Sequence, residues 1–177
     1  METKIKICGM KHPENISEIA ALQPDYLGFI FYAQSPRNFE NVIPELDKSI
    51  QKVGVFVNAT FEEIQEKVTT HKLNLVQLHG DETPKYCEKV ADYVGVIKAF
   101  RLREEDQVLW KIKDYQEIAD MFLFDTDGTG YGGTGKKFNW AVLQGLHIQK
   151  PFFLSGGIGP EDTENIKQFA KDPVAKD

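Results

Sequence analysis

Residues 121–140 read MFLFDTDGTGYGGTGKKFNW, and this stretch decides the predicted fold. The apolar run at residues 121–124 has the length and composition of a buried strand, and the carboxylate of Asp125 follows it directly. A loop rich in glycine comes next, and Asn139 then stands where it can cap a helix. The stretch therefore predicts one strand, loop and helix, with an acid at the carboxyl end of the strand.

The glycine loop, residues 128–137, matches parts of two phosphate-binding motifs. The spacing GxGxxG begins at Gly128, but the region around residues 152–154 lacks the carboxylate that would bind a ribose hydroxyl. The spacing GxxxxGK begins at Gly130, but Lys137 occupies the place of the Ser or Thr that binds Mg²⁺. A nucleotide-binding module stays an alternative, as does a loop that only connects strand and helix.

Composition limits the classes of protein to consider. The chain has 177 residues, 41% of them hydrophobic, which suits a single domain, residues 1–177, with a buried core. A net charge of -6, with no basic block longer than a pair, argues against nucleic acid and favours a small metabolite as partner. Cys8 and Cys87 are too few for a disulfide framework, and the sequence shows neither a signal peptide nor a membrane span. We therefore predict a soluble, cytoplasmic protein with no membrane partner.

Short apolar runs alternate with amphipathic segments along the whole chain. The predicted strands are residues 4–8, 26–31, 52–57, 75–78, 94–99, 121–124 and 151–154. The predicted helices are residues 14–22, 61–71, 84–90, 104–117, 139–146 and 161–170, with a short or irregular one near 44–50. Because strands start about 24 residues apart, with one helix between them, we expect a parallel sheet, either doubly wound or closed into a barrel.

A barrel is favoured because polar residues stand at the ends of all seven predicted strands. These residues include Cys8, Arg37, Asn58, His79, Arg101, Asp125 and Ser155. In a barrel the carboxyl ends of all strands surround one site, whereas a doubly wound sheet uses only the strands at its switch point. The sequence therefore predicts an α/β protein of the TIM (β/α)8-barrel type with one site.

Seven segments, in chain order, carry a family resemblance. They are KICG from Lys6, GFIF from Gly28 with SPR from Ser35, GVFVN from Gly54, VQLHG from Val76, FDT from Phe124, GGTG from Gly132 with FNW from Phe138, and LSGG from Leu154. Together they resemble phosphoribosylanthranilate isomerase of tryptophan biosynthesis over essentially the whole chain. The resemblance implies a (β/α)8 barrel that needs no cofactor or metal. It also implies an Amadori rearrangement of N-(5-phosphoribosyl)anthranilate to 1-(o-carboxyphenylamino)-1-deoxyribulose 5-phosphate.

The resemblance also implies roles for individual residues. The rearrangement requires an acid at the ring oxygen and a base at C2, and Asp125 and Cys8 are expected to fill these roles. Arg37 is expected to bind the anthranilate carboxylate through its planar guanidinium group. His79 either lines the site or only forms hydrogen bonds within its loop. The other expected substrate-binding residues are Gly132, Gly133, Ser155, Gly156 and Gly157, the last three through backbone N–H groups at the phosphate.

Each assignment has a structural alternative. A cysteine in an apolar strand, such as Cys8, is often a small core residue, and Cys87 is interpreted in that way on its helix. An aspartate at the end of a strand, such as Asp125, is often a turn or cap residue. Ser155 and the two glycines after it can form a tight turn without a ligand.

Seven units use up the chain near residue 175, so on this count an eighth strand and helix are absent. The resemblance implies that half of the phosphate site is absent with them. We expect a complete barrel to be a monomer. For this chain alone we expect weak activity, marginal stability and association through the open edges of the first and seventh strands. A non-catalytic remnant of a barrel is the remaining alternative.

Overall fold

The computed structural model of the chain describes residues 3–103, 106–126 and 140–169. It divides into two compact units, Glu2–Val96 and Ile97–Asp177. In both units the described strands are parallel, and a helix or helical turn separates successive strands everywhere except between Tyr26–Phe31 and Gln51–Phe56. This alternation is the β/α repeat that the sequence predicts.

The first unit contains four parallel strands that lie side by side in chain order. The strands are β1 (Lys6–Cys8), β2 (Tyr26–Phe31), β3 (Gln51–Phe56) and β4 (Leu75–Leu78). The helices α1 (Pro13–Ala20), α2 (Phe61–His71) and α3 (Pro84–Ala91) follow β1, β3 and β4. Residues 44–50, where a short or irregular helix was predicted, form irregular backbone and a turn.

Helix α2 has the limits that the sequence predicts at both ends. The hydroxyl of Thr60 accepts a hydrogen bond from the N–H of Glu63, and the Glu63 carboxylate accepts one from the N–H of Thr60 at 2.7 Å. Lys72 adopts a left-handed conformation with φ 51° just after the helix. The capping box and the left-handed residue therefore fix where this helix begins and ends.

The strand register sorts the side chains of the first unit onto two faces. Cys8 pairs with Gly28, Gly28 with Val53, and Val55 with Gln77. Because successive side chains of a strand point to opposite sides, Cys8, Gly28 and Gln77 share one face, called here the Cys8 face. The opposite face, called here the helix face, carries the buried side chains Leu27, Phe29, Phe56, Val76 and Leu78.

The core of this unit lies between the helix face and the helices. Ile16 of α1 packs in one cluster with Leu27 and Phe29 of β2. The ring of Phe29 meets that of Phe39 edge to face, with centroids 5.1 Å apart. Burial of these side chains stabilises the arrangement, and it leaves the Cys8 face for other contacts.

The second unit contains three strands, β5 (Gly95–Leu102), β6 (Met121–Thr126) and β7 (Phe152–Leu154), of which the first two residues of β5 belong to the first unit. Strand β6 pairs in parallel with both β5 and β7. Its helical segments are α4 (Val108–Ile112), α5 (Thr163–Phe169) and 3₁₀ turns at Lys113–Tyr115, Trp140–Leu143 and Pro160–Asp162. Phenylalanines hold the strands together, for example the buried Phe124 and the partly buried Phe152, whose ring centroids are 5.3 Å apart.

Two predictions for β5 and for the segment after it are wrong. Strand β5 continues through Leu102, so Arg101 lies within the strand rather than after it. The helix predicted at residues 104–117 begins at Val108 and becomes a 3₁₀ turn at Lys113. Residues 104 and 105 of that prediction lie outside the described residues. Just before the helix, Asp106 accepts hydrogen bonds from the N–H of Arg103 and from the ammonium group of Lys111.

The helix predicted at residues 139–146 is also wrong, because the described residues form only the 3₁₀ turn Trp140–Leu143. Its predicted cap, Asn139, lies outside the described residues. The pattern of apolar residues in this segment predicted helical backbone, but it did not distinguish an α-helix from a single tighter turn.

Candidate active site

Cys8 is the last residue of β1 and is partly exposed. A Cβ at Gly28, its neighbour on β2, would lie 2.6 Å from Cys8 Sγ and 3.1 Å from Lys6 Nζ. The absence of a side chain at Gly28 therefore leaves the space that the thiol and the Lys6 ammonium group occupy. Cys87 differs, because its side chain is fully buried in α3, which confirms its interpretation as a core residue.

Arg37 lies against the backbone that follows Cys8. Gly9 has φ +88°, and a Cβ there would lie 2.8 Å from Arg37 Nη1 and 2.9 Å from its Cδ. The N–H of Gly9 also donates a hydrogen bond to the carbonyl of Gly28 at 2.9 Å. The structure thus places Arg37, which is an exposed residue, beside the residue that follows Cys8.

His79 follows β4 and makes a hydrogen bond to a residue of that strand. Its Nδ1 lies 2.7 Å from Nε2 of Gln77. Its backbone N–H donates to the carbonyl of Phe56 at 2.8 Å, which continues the pairing of β3 and β4. Because His79 is two residues beyond Gln77 in this extended segment, it lies on the Cys8 face.

Side chains tie the loops after β3 and β4 together. The carboxylate of Glu82, which is 5% exposed, accepts hydrogen bonds from the N–H groups of Asn58 and Gly80. The amide oxygen of Asn58 accepts from the N–H of Asp81 at 2.8 Å. Asn58, which the sequence placed at the site, thus contributes to the framework of these loops.

Asp125 is buried in β6 of the second unit, where it is 7% exposed. Its Oδ1 accepts a hydrogen bond from the N–H of Thr126 at 2.9 Å. A Cβ at Gly156 would lie 2.9 Å from the same oxygen and nearer still to the Thr126 hydroxyl. Arg101 is the partner of Asp125 in the register of β5 and β6, so both residues lie on one face of these strands.

The segment after β7 contains two successive glycines in the left-handed region. The N–H of Ser155 donates to the carbonyl of Phe124 at 2.8 Å, and Gly156 and Gly157 have φ values of +93° and +64°. Turns of this kind can direct backbone N–H groups toward a phosphate. The structure therefore brings Asp125 together with Ser155 and Gly156, whereas Gly132 and Gly133 lie outside the described residues.

Gly28 and Gln77 are two site residues that sequence reasoning noted only as letters of motifs. A glycine inside an apolar strand often marks the close approach of another group, which was a usable signal for Gly28. A lone amide within the short apolar strand β4 was the corresponding signal for Gln77. In the described part of the chain, no cluster of His, Cys, Asp or Glu could hold a metal ion, and no helix could cross a membrane.

Solved structures resemble this chain throughout its length. Phosphoribosyl anthranilate isomerase from Thermus thermophilus has a TM-score of 0.80 at 28% identity, covering 94% of this chain and 82% of that chain. The Thermotoga maritima enzyme has a TM-score of 0.79 at 32% identity, covering 94% of this chain and 83% of that chain. A structure of phosphoribosyl anthranilate isomerase in complex with reduced 1-(o-carboxyphenylamino)-1-deoxyribulose 5-phosphate has a TM-score of 0.77 at 29% identity, with coverages of 97% and 84%. The fold and the site define an α/β enzyme of the TIM-barrel type, as predicted.

A sequence profile of N-(5'phosphoribosyl)anthranilate (PRA) isomerase matches residues 5–176. The chain belongs to the N-(5'-phosphoribosyl)anthranilate isomerase family. Its relative of that name in Parabacteroides distasonis is 45% identical over 172 residues, which cover 93% of this chain and 77% of the relative. A Thermoanaerobacter pseudethanolicus relative is 39% identical over 180 residues, which cover 98% of this chain and 86% of the relative. The family resemblance derived from the sequence is confirmed.

Proposed function

We propose that Cys8 and Asp125 are the general base and the general acid of the reaction that defines this family. Membership of the family makes the chain an isomerase of tryptophan biosynthesis that acts on a phosphorylated small molecule. The reaction converts the aminoaldose N-(5-phosphoribosyl)anthranilate into the corresponding aminoketose. The observation that carries the assignment is the position of Asp125, buried at the carboxyl end of β6 with one oxygen fixed by Thr126.

Two proton transfers make up the chemistry. Asp125 donates a proton to the furanose oxygen while the bond from that oxygen to C1 breaks, which gives an open-chain Schiff base. Cys8 then acts as the base that removes the proton from C2, and the resulting enolamine becomes the aminoketose when C1 gains a proton and the C2 hydroxyl loses one. Burial of Asp125 keeps bulk water away from the first transfer.

The other site residues bind the two ends of the substrate in this proposal. Arg37 binds the anthranilate carboxylate, because its exposed guanidinium group lies beside the backbone that follows Cys8. Ser155, Gly156 and Gly157 bind the phosphate through backbone N–H groups, and the positive φ values of the two glycines support this role. His79 is proposed to contact the substrate from the Cys8 face. Gly132 and Gly133 are proposed as substrate-binding residues on the basis of the family resemblance alone.

The predicted assembly and location stay predictions. One solved structure that resembles this chain contains monomers generated from the dimeric phosphoribosylanthranilate isomerase of Thermotoga maritima. A monomeric state for a complete barrel and a cytoplasmic location rest on the sequence argument. Sedimentation of the purified chain measures its own oligomeric state directly.

Replacement of the two proton-transfer groups tests the proposed function. Substrate loss is followed by fluorescence, and Cys8→Ala and Asp125→Asn are each expected to lower kcat by about 10²- to 10⁴-fold with KM nearly unchanged. Asp162→Asn is the matched control, because the Asp162 carboxylate is buried in the same unit but accepts a hydrogen bond from the N–H of Gly159 at 2.8 Å. A Cys8→Ala enzyme within a few-fold of the parent would show that Cys8 is not the base.

A thermal-shift measurement separates the isomerase from the two alternatives left by the sequence. The isomerase is expected to be stabilised by reduced 1-(o-carboxyphenylamino)-1-deoxyribulose 5-phosphate and not by nucleotides. A nucleotide-binding module would respond to ATP, GTP or NAD, and a non-catalytic remnant would respond to none of these compounds.

A further inference from the structure

Gln77 is a buried polar residue on β4 that the two proton transfers do not use. Its side chain is 2% exposed, and its pairing with Val55 places it on the Cys8 face. Its Nε2 lies 2.7 Å from Nδ1 of His79. Its Oε1 is buried and has no hydrogen-bond partner among the residues that the structure describes. The amide of Gln77 therefore has a bonded nitrogen and an unbonded oxygen, and an unpaired buried polar atom costs free energy of folding.

The orientation of the Gln77 amide follows from its hydrogen-bonding groups. The amide nitrogen carries two N–H donors, whereas the amide oxygen only accepts. Turning the amide over would bury two donors at the place where one acceptor is now unpaired, and unpaired buried N–H groups are rarer than unpaired carbonyl oxygens. In the orientation that the structure gives this amide, the nitrogen of Gln77 faces the ring, so it is the donor and Nδ1 of His79 is the acceptor.

This hydrogen bond sets the tautomer of His79. A neutral imidazole carries one proton, so a ring that accepts at Nδ1 carries its proton at Nε2. We infer that Gln77 is a positioning residue that holds the His79 ring and its Nε2–H tautomer, so that His79 presents a neutral donor to an oxygen atom of the substrate. Only the last step rests on the proposed function, in which His79 lines the substrate site.

The tautomer can be measured without substrate by long-range ¹H–¹⁵N correlation spectroscopy on the full chain. The chain has 4 histidines, and a His79→Asn variant assigns the signals of the ring in question. The parent is expected to show an unprotonated Nδ1 and a protonated Nε2. Gln77→Glu nearly preserves the shape, and its ionised carboxylate can only accept, so at a pH where that carboxylate is ionised the variant is expected to move the proton to Nδ1. Gln77→Met keeps a similar volume without the hydrogen bond and is expected to let both tautomers be populated.

Kinetics then test the role toward the substrate. Gln77→Met is expected to raise KM about fivefold, the effect of losing one neutral hydrogen bond, with a smaller change in kcat. Gln77→Glu is expected to raise KM further, because the reversed tautomer presents an acceptor to the substrate oxygen. Gln51→Glu makes the same substitution at the amino end of β3 and is expected to change neither the His79 signals nor KM.

Three results would overturn the inference. The first is a parent His79 with its proton on Nδ1, which needs no variant and therefore does not depend on how the variants fold. The second is a Gln77→Glu chain whose His79 keeps the parent tautomer. The third is that both Gln77 variants show the expected tautomers but an unchanged KM, which would show that His79 does not donate to the substrate. Failure of the proposed function would instead appear as an active Cys8→Ala enzyme.

Discussion

Two glycines on neighbouring strands of the first unit show how its two faces differ. A Cβ at Gly28 would meet Cys8 Sγ at 2.6 Å on the Cys8 face. A Cβ at Gly54, on the helix face, would meet Leu73 Cδ1 at 2.5 Å and a ring carbon of Phe56 at 2.8 Å. One glycine makes room for a reactive group, and the other makes room for the core. The same substitution at these positions should therefore cost activity on one face and stability on the other.

The largest expected effect of this comparison is that of Gly28→Ala on catalysis. The new methyl group must displace the Cys8 thiol, and a misplacement of about 1 Å can lower a rate by about 10²-fold. We expect kcat/KM to fall by about that factor, with a much smaller change in the urea midpoint of unfolding. Steady-state fluorescence kinetics and urea titration measure the two quantities. A Gly28→Ala enzyme with parental kcat/KM would mean that Cys8 does not act from this position.

Arg37→Ala extends the comparison to the loop beside Cys8. Loss of a charge-assisted contact to the anthranilate carboxylate is worth about 1.5–3 kcal/mol, so KM is expected to rise about 10- to 100-fold with little change in kcat. Lys11→Ala is the matched control, because Lys11 also carries a positive charge and its Nζ donates to the carbonyl of Pro36 at 2.9 Å. An equal rise of KM in Arg37→Ala and Lys11→Ala would show that the loss of positive charge, rather than a specific contact of Arg37, causes the effect.

Gly54→Ala tests the helix face of the same sheet. The added methyl group overpacks the core against Leu73 and Phe56, which typically costs about 1–3 kcal/mol of the free energy of unfolding. We expect the urea midpoint to fall while kcat/KM of the folded enzyme stays within about twofold of the parent. A loss of kcat/KM as large as that of Gly28→Ala would break the distinction between the two faces.

The sequence predicts those features that depend on local patterns. The strand limits at Tyr26–Phe31 and Leu75–Leu78 follow from apolar runs, and the limits of Phe61–His71 follow from the capping box at Thr60. The helix expected at residues 104–117 begins only at Val108, and the Asp106 carboxylate accepts a hydrogen bond from the N–H of Arg103 in the preceding segment. The periodicity of apolar residues does not predict a side-chain hydrogen bond of this kind.

For the candidate site, the sequence predicts which residues belong to it but not the contacts between them. Cys8, Arg37 and Asp125 could be named from motifs, because the spacing of these residues is a property of the sequence. The contact of Cys8 with Gly28 depends on the register of β1 against β2, and the hydrogen bond of Gln77 depends on how β4 continues to His79. Both involve distances across the fold that no local pattern specifies.

The smallest expected effect concerns the loops tied together after β3 and β4. The hydroxyl of Tyr86 in α3 donates to the carbonyl of Ala59 at 2.6 Å, so Tyr86→Phe is expected to cost about 1 kcal/mol of the free energy of unfolding at neutral pH. Proton linkage gives this bond a second signature. Burial, reinforced by the negative charges of Glu82 and Glu62, raises the pKa of Tyr86 from 10.0 to about 12.

A raised pKa means that the folded chain holds the Tyr86 proton more tightly than the unfolded chain does. The stabilisation is therefore fully present below the unfolded pKa of 10.0 and is lost as the pH rises toward about 12. Between these values the parent should lose stability more steeply than Tyr86→Phe, so that the two urea midpoints converge. The matched control is Tyr93→Phe, because the Tyr93 hydroxyl lies 3.2 Å from that of Thr69 on the exposed surface. Parallel pH profiles for the parent and Tyr86→Phe would show that the Tyr86 hydroxyl is not held in the folded state, and the framework of these loops would then rest on Glu82 and Asn58 alone.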